Sequence, residues 1–174
     1  MTPNTTSGRN AHRAAGPDKV TIALVTISDT RTPDNDTSGD YLEQALFEAG
    51  HKVSERTLIK DNREQIQATL TRLLASEAQV VLTSGGTGIA GRDYTVPIVE
   101  SLIKKPLPGF GELFRMLSYN EVKGAAMLSR AVGGLAEGGL IFALPGSSNA
   151  VKTAWEKLLK DEFSHLVFEM LRHR

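Results

Sequence analysis

Three segments of this sequence carry residue types that could handle phosphate. Ser84-Gly85-Gly86-Thr87-Gly88 packs three glycines and two hydroxyls into five residues. Bare amides at that density can converge on an anion, whereas a tight turn alone needs one or two glycines. Asp61 and Asp93 supply carboxylates. If both point into one crevice they form a hard-oxygen site for Mg²⁺ together with phosphate. Each also has a plainer reading. Asp61 stands just before a helical pattern, and its spacing favours an N-cap, with Asn62 and Gln65 as an alternative capping box. Asp93 could pair with Arg92 at the surface or precede a helix begun near Thr95. In Pro145-Gly146-Ser147-Ser148-Asn149, Ser147 is a natural N-cap, so this loop is either a plain cap or a second anion site. Two amide-rich loops with carboxylates near them suggest phosphoryl or nucleotidyl transfer, chemistry done mainly by positioning and charge neutralisation.

Competing chemistries fail on composition and spacing. Gly86-Thr-Gly88-Ile-Ala-Gly91 matches a dinucleotide fingerprint, but no helix opens at its second glycine and no acidic strand end follows about 20 residues on. Spaced as a Walker loop, the same stretch puts Arg92-Asp93 where Lys-Ser or Lys-Thr is required. There is no cysteine, which removes disulfides, thiolate metal sites and cysteine nucleophiles. The four histidines are scattered, and no Gly-x-Ser-x-Gly elbow occurs. Lys+Arg and Asp+Glu are both 20, so no net charge draws the chain to nucleic acid or an anionic membrane. Arg31 and Arg56 show none of the aromatic interleaving expected of single-strand binders. No apolar run nears the roughly 18 residues of a membrane span, and no signal-peptide core opens the chain, so the expected location is the cytoplasm.

The elements that must position these loops are legible from hydrophobic period. Residues 1–18 contain no Val, Ile, Leu or aromatic residue and read as a flexible tail, leaving 19–174 as one domain. Val20–Ile27 is a near-continuous β-branched run, the pattern of a strand buried on both faces. Leu42, Ala45, Leu46 and Ala49 follow at helical spacing, then a more polar strand from Val53 to Ile59 suited to a sheet edge. A second helix carries Ile66, Leu70, Leu73 and Leu74, and Gln79–Thr83 runs as a strand into the glycine loop. Phe110, Leu113, Phe114 and Leu117 mark another helix, Leu140–Leu144 a core strand, and the stripes of Val151–Leu159 and Phe163–Leu171 two closing helices. Alternating β and α elements predict a three-layer α/β sandwich, its central, mostly parallel sheet flanked by helices. Ligands of such sheets bind beyond the carboxyl ends of the strands, here Ser28–Gly39, Ser84–Asp93 and Pro145–Asn149.

Beyond these patterns, Val-Thr-Ile-Ser-Asp (25–29), Leu-Thr-Ser-Gly-Gly-Thr-Gly (82–88), Arg92-Asp93, Pro-Gly-Phe-Gly-Glu (108–112), Leu-Ser-Arg-Ala-Val (128–132) and Leu-Pro-Gly-Ser (144–147) together resemble the molybdopterin-binding family. The resemblance spans about residues 19–160. Phe-Arg-Met-Leu-Ser-Tyr-Asn-Glu (114–121) and Thr-Ala-Trp-Glu (153–156) are most similar to its molybdenum cofactor biosynthesis B branch, sister to the molybdopterin adenylyltransferases. The resemblance implies the same sandwich fold and a homotrimer or homohexamer. It also implies Mg²⁺- and ATP-dependent adenylylation of the molybdopterin phosphate, with other proteins of the pathway as partners. Asp61 and Asp93 fall on the family's two functional aspartates, as catalytic residues and metal ligands, which weakens the capping reading of Asp61. Ser84, Gly85, Gly86, Thr87 and Gly88 would cradle phosphate. Pro145, Gly146 and Ser147 would line the nucleotide site, with Ser28, Asp29 and Glu112 as further ligand contacts. Two points bear on the activity that the resemblance implies. Val96-Pro97 stands where the family usually has an acidic residue, removing a metal ligand or its support. Some B-branch members lack the first aspartate and are inactive, but this chain keeps it. A non-catalytic molybdopterin carrier of the same fold is the competing expectation.

Overall fold

The computed structural model describes residues 15–172. The first fourteen residues of the expected tail, with His173 and Arg174, lie outside the described residues. Six strands form one sheet in the order β2-β1-β3-β6-β5-β4. The strands are β1 (Thr21–Ile27), β2 (Lys52–Ile59), β3 (Val80–Ser84), β4 (Ile103–Pro106), β5 (Val132–Ala136) and β6 (Leu140–Leu144). Strands β2, β1, β3 and β6 are parallel, while β5 pairs antiparallel with both β6 and β4 and so alone runs against the rest. The helices are α1 (Thr37–Glu48), α2 (Arg63–Leu74), α3 (Thr95–Leu102), α4 (Pro108–Val122), α5 (Ser148–Ala154) and α6 (Phe163–Leu171).

The alternation of side chains along each strand builds two cores. On one face Ile22, Leu24, Val80, Leu82, Phe142 and Leu144 pack against α1, α4, α5 and α6. On the other, Ala23, Val25, Ile27, Val81 and Ile141 meet α2 and α3. The near-continuous apolar run of β1 reflects burial on both sides, as expected of a central parallel strand. The polar strand β2 is the sheet edge.

Sequence reasoning missed β4 and β5. Gly133-Gly134 and Lys104-Lys105-Pro106 are poor strand formers. Their pairing is imposed by neighbours: β5 folds back on β6 across Glu137–Gly139, and a Cβ on Gly133 would come within 2.3 Å of the Phe142 ring. The lysines and proline of β4 guard the second edge. The stripe from Val151 to Leu159 is also not one regular helix, since α5 passes into a π-helical turn at Trp155–Leu159, closed by Lys160 N on Trp155 O at 2.9 Å.

Candidate active site

The loops after β1, β3 and β6 meet at the carboxyl edge of the sheet, where the strand order reverses between β1 and β3. Ligands of doubly wound sheets bind at such switch points. Gly85 N donates to Leu144 O at 3.0 Å, and a Cβ on Gly85 would stand 2.1 Å from Ile27 O. Gly85 and Gly86 have φ of +97° and +65°, conformations that side-chain-bearing residues rarely adopt. A Cβ on Gly86 would strike Thr95 Oγ1 at 2.1 Å. The glycines thus let three strand ends converge, and they leave a crevice of about 320 Å³ lined by Ser28, Arg31, Ser84–Gly88, Asp93 and Gly146.

Asp61 is 8% exposed and sits behind this loop. Its Oδ1 accepts from Tyr94 N at 3.2 Å, and its Oδ2 lies 3.2 Å from where Gly86 would carry a Cβ. The capping expectation for Asp61 is corrected: Asn62 is the N-cap of α2, its Oδ1 accepting from Gln65 N at 2.9 Å. The box is not reciprocal, because Gln65 Oε1 accepts from Lys60 N instead. Relieved of capping, Asp61 turns across to the β3–α3 loop. Burial pushes its carboxyl above the ordinary value, and the charges of Asp93 and Asp29 add to the rise against the opposing Tyr94 N–H and Arg92.

Asp93 does not pair with Arg92. Its Oδ2 accepts from Ala90 N at 2.7 Å, while Arg92 reaches Asp29 at 3.4 Å. Asp29 in turn accepts from Asp61 N at 3.1 Å. Asp29, Asp61 and Asp93 therefore lie close together, with Asp93 alone lining the crevice. Among the described residues no set of three or more His, Cys, Asp or Glu side chains is arranged to hold a metal ion. Two carboxylates next to a phosphate-sized crevice nevertheless suit Mg²⁺, which keeps several waters and borrows substrate phosphates as ligands.

The remaining expectations divide. Ser28, Ser84, Gly85, Gly86, Thr87, Gly88, Asp93 and Gly146 line the crevice together. Ser147 acts as the cap of α5, its Oγ accepting from Ala150 N at 3.1 Å, and neither it nor Pro145 lines the crevice. Glu112 lies instead in a neighbouring cavity of about 440 Å³ with Glu100, Arg115 and Arg130. Arg130 forms part of the wall between the two, since Nε donates to Thr87 O at 2.9 Å and Nη2 to Gly88 O and Asp93 O. In the sequence Arg130 stands inside Leu-Ser-Arg-Ala-Val (128–132), where no local spacing marks it as an anchor for the loop at Thr87, 43 residues away.

Two further groups went unrecognised. Asp36, at 1% exposure, caps α1 by accepting from Gly39 N, and it also accepts from Thr26 Oγ1 at 2.7 Å, Arg56 Nη2 at 3.0 Å and Arg31 Nη1 at 3.3 Å. Burial alone would raise its carboxyl, but the Thr26, Arg56 and Gly39 hydrogen bonds, with the Arg56 charge, hold it below the ordinary value. An aspartate directly before Thr37-Ser-Gly was a legible cap signal. Nothing local pointed to Arg31.

Residues 23–165 match the family described as a probable molybdopterin binding domain. Molybdenum cofactor biosynthesis protein B of Bacillus cereus is 48% identical over 163 residues, covering 92% of this chain and 96% of that protein. A crystal structure of a molybdenum cofactor biosynthesis protein B superposes with TM-score 0.87 at 47% identity, covering 90% of this chain and 99% of that one. The tungsten cofactor synthesizing protein MoaB of Pyrococcus furiosus superposes with TM-score 0.78 at 35% identity, over 90% and 98% of the two chains. With most of its length matching the family model and its fold superposing on solved relatives, the chain belongs to the molybdopterin-binding domain family.

Proposed function

We propose that this chain is a nucleotidyltransferase of molybdenum cofactor biosynthesis, joining the adenylyl group of ATP to the terminal phosphate of molybdopterin. The observation that carries the reading is the meeting of the Gly85-Gly86 loop with the Asp61 and Asp93 carboxylates at the β1/β3 switch point. A phosphate oxygen of molybdopterin attacks the α-phosphorus, the bond from that phosphorus to the α–β bridging oxygen breaks, and pyrophosphate leaves with the bonding pair. A phosphate monoester is largely ionised at neutral pH, its second pKa being about 6. The nucleophile therefore needs no protein base, and the two aspartates are free to act as metal ligands. Mg²⁺ held by Asp61 and Asp93 would neutralise phosphate charge as it develops. The amides of the glycine loop hold phosphate oxygens, and Arg130 keeps that loop in place through its carbonyls. The neighbouring cavity that contains Glu112 gives the pterin a place beside the crevice.

The relatives named for molybdenum cofactor biosynthesis support this pathway, and the reading places the chain in the cytoplasm, where nucleoside triphosphate is available. No helix among the described residues is long and apolar enough to cross a membrane. A homotrimer or homohexamer agrees with the apolar stripe Leu113, Met116, Tyr119 and Val122 exposed on α4 and continued by Met127 and Leu128.

The test is adenylyl transfer from α-labelled ATP to molybdopterin in Mg²⁺. Formation of adenylylated pterin, lost in Asp93→Asn, upholds the reading. Molybdopterin binding without product in the wild type replaces it with a carrier of the same pathway.

A further inference from the structure

Among the described residues lining the crevice, Arg31 is the single cation, as Asp93 is the single anion. The other arginines nearby are committed elsewhere. Arg130 is spent on the carbonyls of Thr87, Gly88 and Asp93. Arg92 pairs with Asp29. Arg56 pairs with Asp36, Asp40 and Glu43.

Arg31 is held differently. Its Nη2 donates to Gly146 O at 2.9 Å, tying the β1 loop to the β6 loop, and its Nη1 reaches Asp36 Oδ1 at 3.3 Å. That second contact is the longest of the four Asp36 side-chain hydrogen bonds to Thr26, Gly39, Arg56 and Arg31. Asp36 would keep Arg56, Thr26 and the Gly39 amide if Arg31 let go. An arginine whose carboxylate is already satisfied by others can exchange it for an incoming anion at little cost, and a guanidinium fork matches two phosphate oxygens at once.

Resting on the nucleotidyl-transfer reading, we infer that Arg31 is the phosphate-chain clamp of the site. It takes oxygens of the β- and γ-phosphates of a nucleoside triphosphate, while Asp61 and Asp93 hold the metal end. Nη2 stays on Gly146 O and Nη1 exchanges Asp36 for phosphate. Arg31 then faces the charge that builds on pyrophosphate as the α–β bond breaks. Its selectivity is for a phosphate chain over a monophosphate.

The experiment titrates inorganic pyrophosphate and, separately, AMP into the full-length protein in Mg²⁺ by calorimetry, using the wild type, Arg31→Met and Arg31→Gln. Glutamine keeps a donor for Gly146 O, and so the loop bridge, but lacks the charge. Pyrophosphate affinity is expected to fall about tenfold or more in both variants, the scale of a lost charge-assisted contact, with AMP affinity within about twofold of wild type. In steady state the KM for ATP rises more than kcat falls. Wild-type pyrophosphate affinity in Arg31→Gln overturns the inference and leaves Arg31 as a loop staple. If Arg31→Met fails to fold, the glutamine variant decides alone. A wild type that transfers adenylyl groups while both arginine variants keep its KM for ATP defeats only the clamp. A wild type that binds neither ATP nor pyrophosphate defeats the transferase reading itself, and the clamp with it.

Discussion

Asp61 is a carboxylate kept where its charge is unwelcome. Because its folded value lies above the ordinary 3.8, the folded state binds its proton more tightly than the unfolded chain does. The ionised form therefore costs stability, a cost that sets in as pH rises through the usual carboxylate range and is complete above the folded value. In metal-free protein at pH 7, Asp61→Asn is expected to raise the melting temperature, while adenylyl transfer falls about a hundredfold or more, the scale of several kcal/mol of metal charge stabilisation. A melt and a transfer assay on one preparation check both. Gly86 gives the opposite case. Its φ of +65° and the Thr95 Oγ1 behind it make Gly86→Ala costly, by about 1–3 kcal/mol in denaturant unfolding, with loss of nucleotide binding.

At the scale of elements, the assignment of Asn62 rather than Asp61 as the cap of α2 has a direct consequence. Asn62→Ala is expected to cost about 1 kcal/mol in denaturant unfolding while leaving ligand affinity nearly unchanged. Asp61→Asn should show the reverse, so the two neighbouring substitutions separate helix start from site. Much at this scale was readable in advance. The glycine loop, the β-branched β1 and the stripes of α1, α2 and α6 are local periodicities that each sequence window carries by itself. β4 and β5 were not readable, because Gly133-Gly134 becomes a strand only when β6 and the Phe142 ring are in place beside it.

At the scale of the whole molecule, the exposed apolar stripe of α4 is expected to close the assembly. The wild type should sediment as a multiple of 18.8 kDa corresponding to three or six copies, and Met116→Glu combined with Val122→Glu should shift it towards the monomer. Acid stability is also set by a group buried between layers. His51 lies against Trp155 and Phe163, with Nδ1 accepting from Val20 N at 3.2 Å. Burial lowers its pKa from the usual 6.5, so the unfolded chain takes up a proton that the folded one refuses. Stability is thus fully present above about pH 6.5 and declines as pH falls from there to the folded value. Urea unfolding at successive pH values should show this slope in the wild type and its loss in His51→Gln.

By itself the sequence determined the order of the elements apart from β4 and β5, the three loops that meet at the carboxyl edge of the sheet, and the lack of cysteine, of paired histidines and of a Gly-x-Ser-x-Gly elbow. These are properties of residue type and short spacing, which survive in any window of the chain. Only the tertiary structure decided which aspartate caps α2 and which turns inward, that Glu112 belongs to a separate cavity, and that Arg31 lines the crevice between loops 115 residues apart. Those outcomes depend on what stands across the gap from each side chain. Burial, charge pairing and hydrogen-bond satisfaction are settled between distant segments, and no local spacing records them.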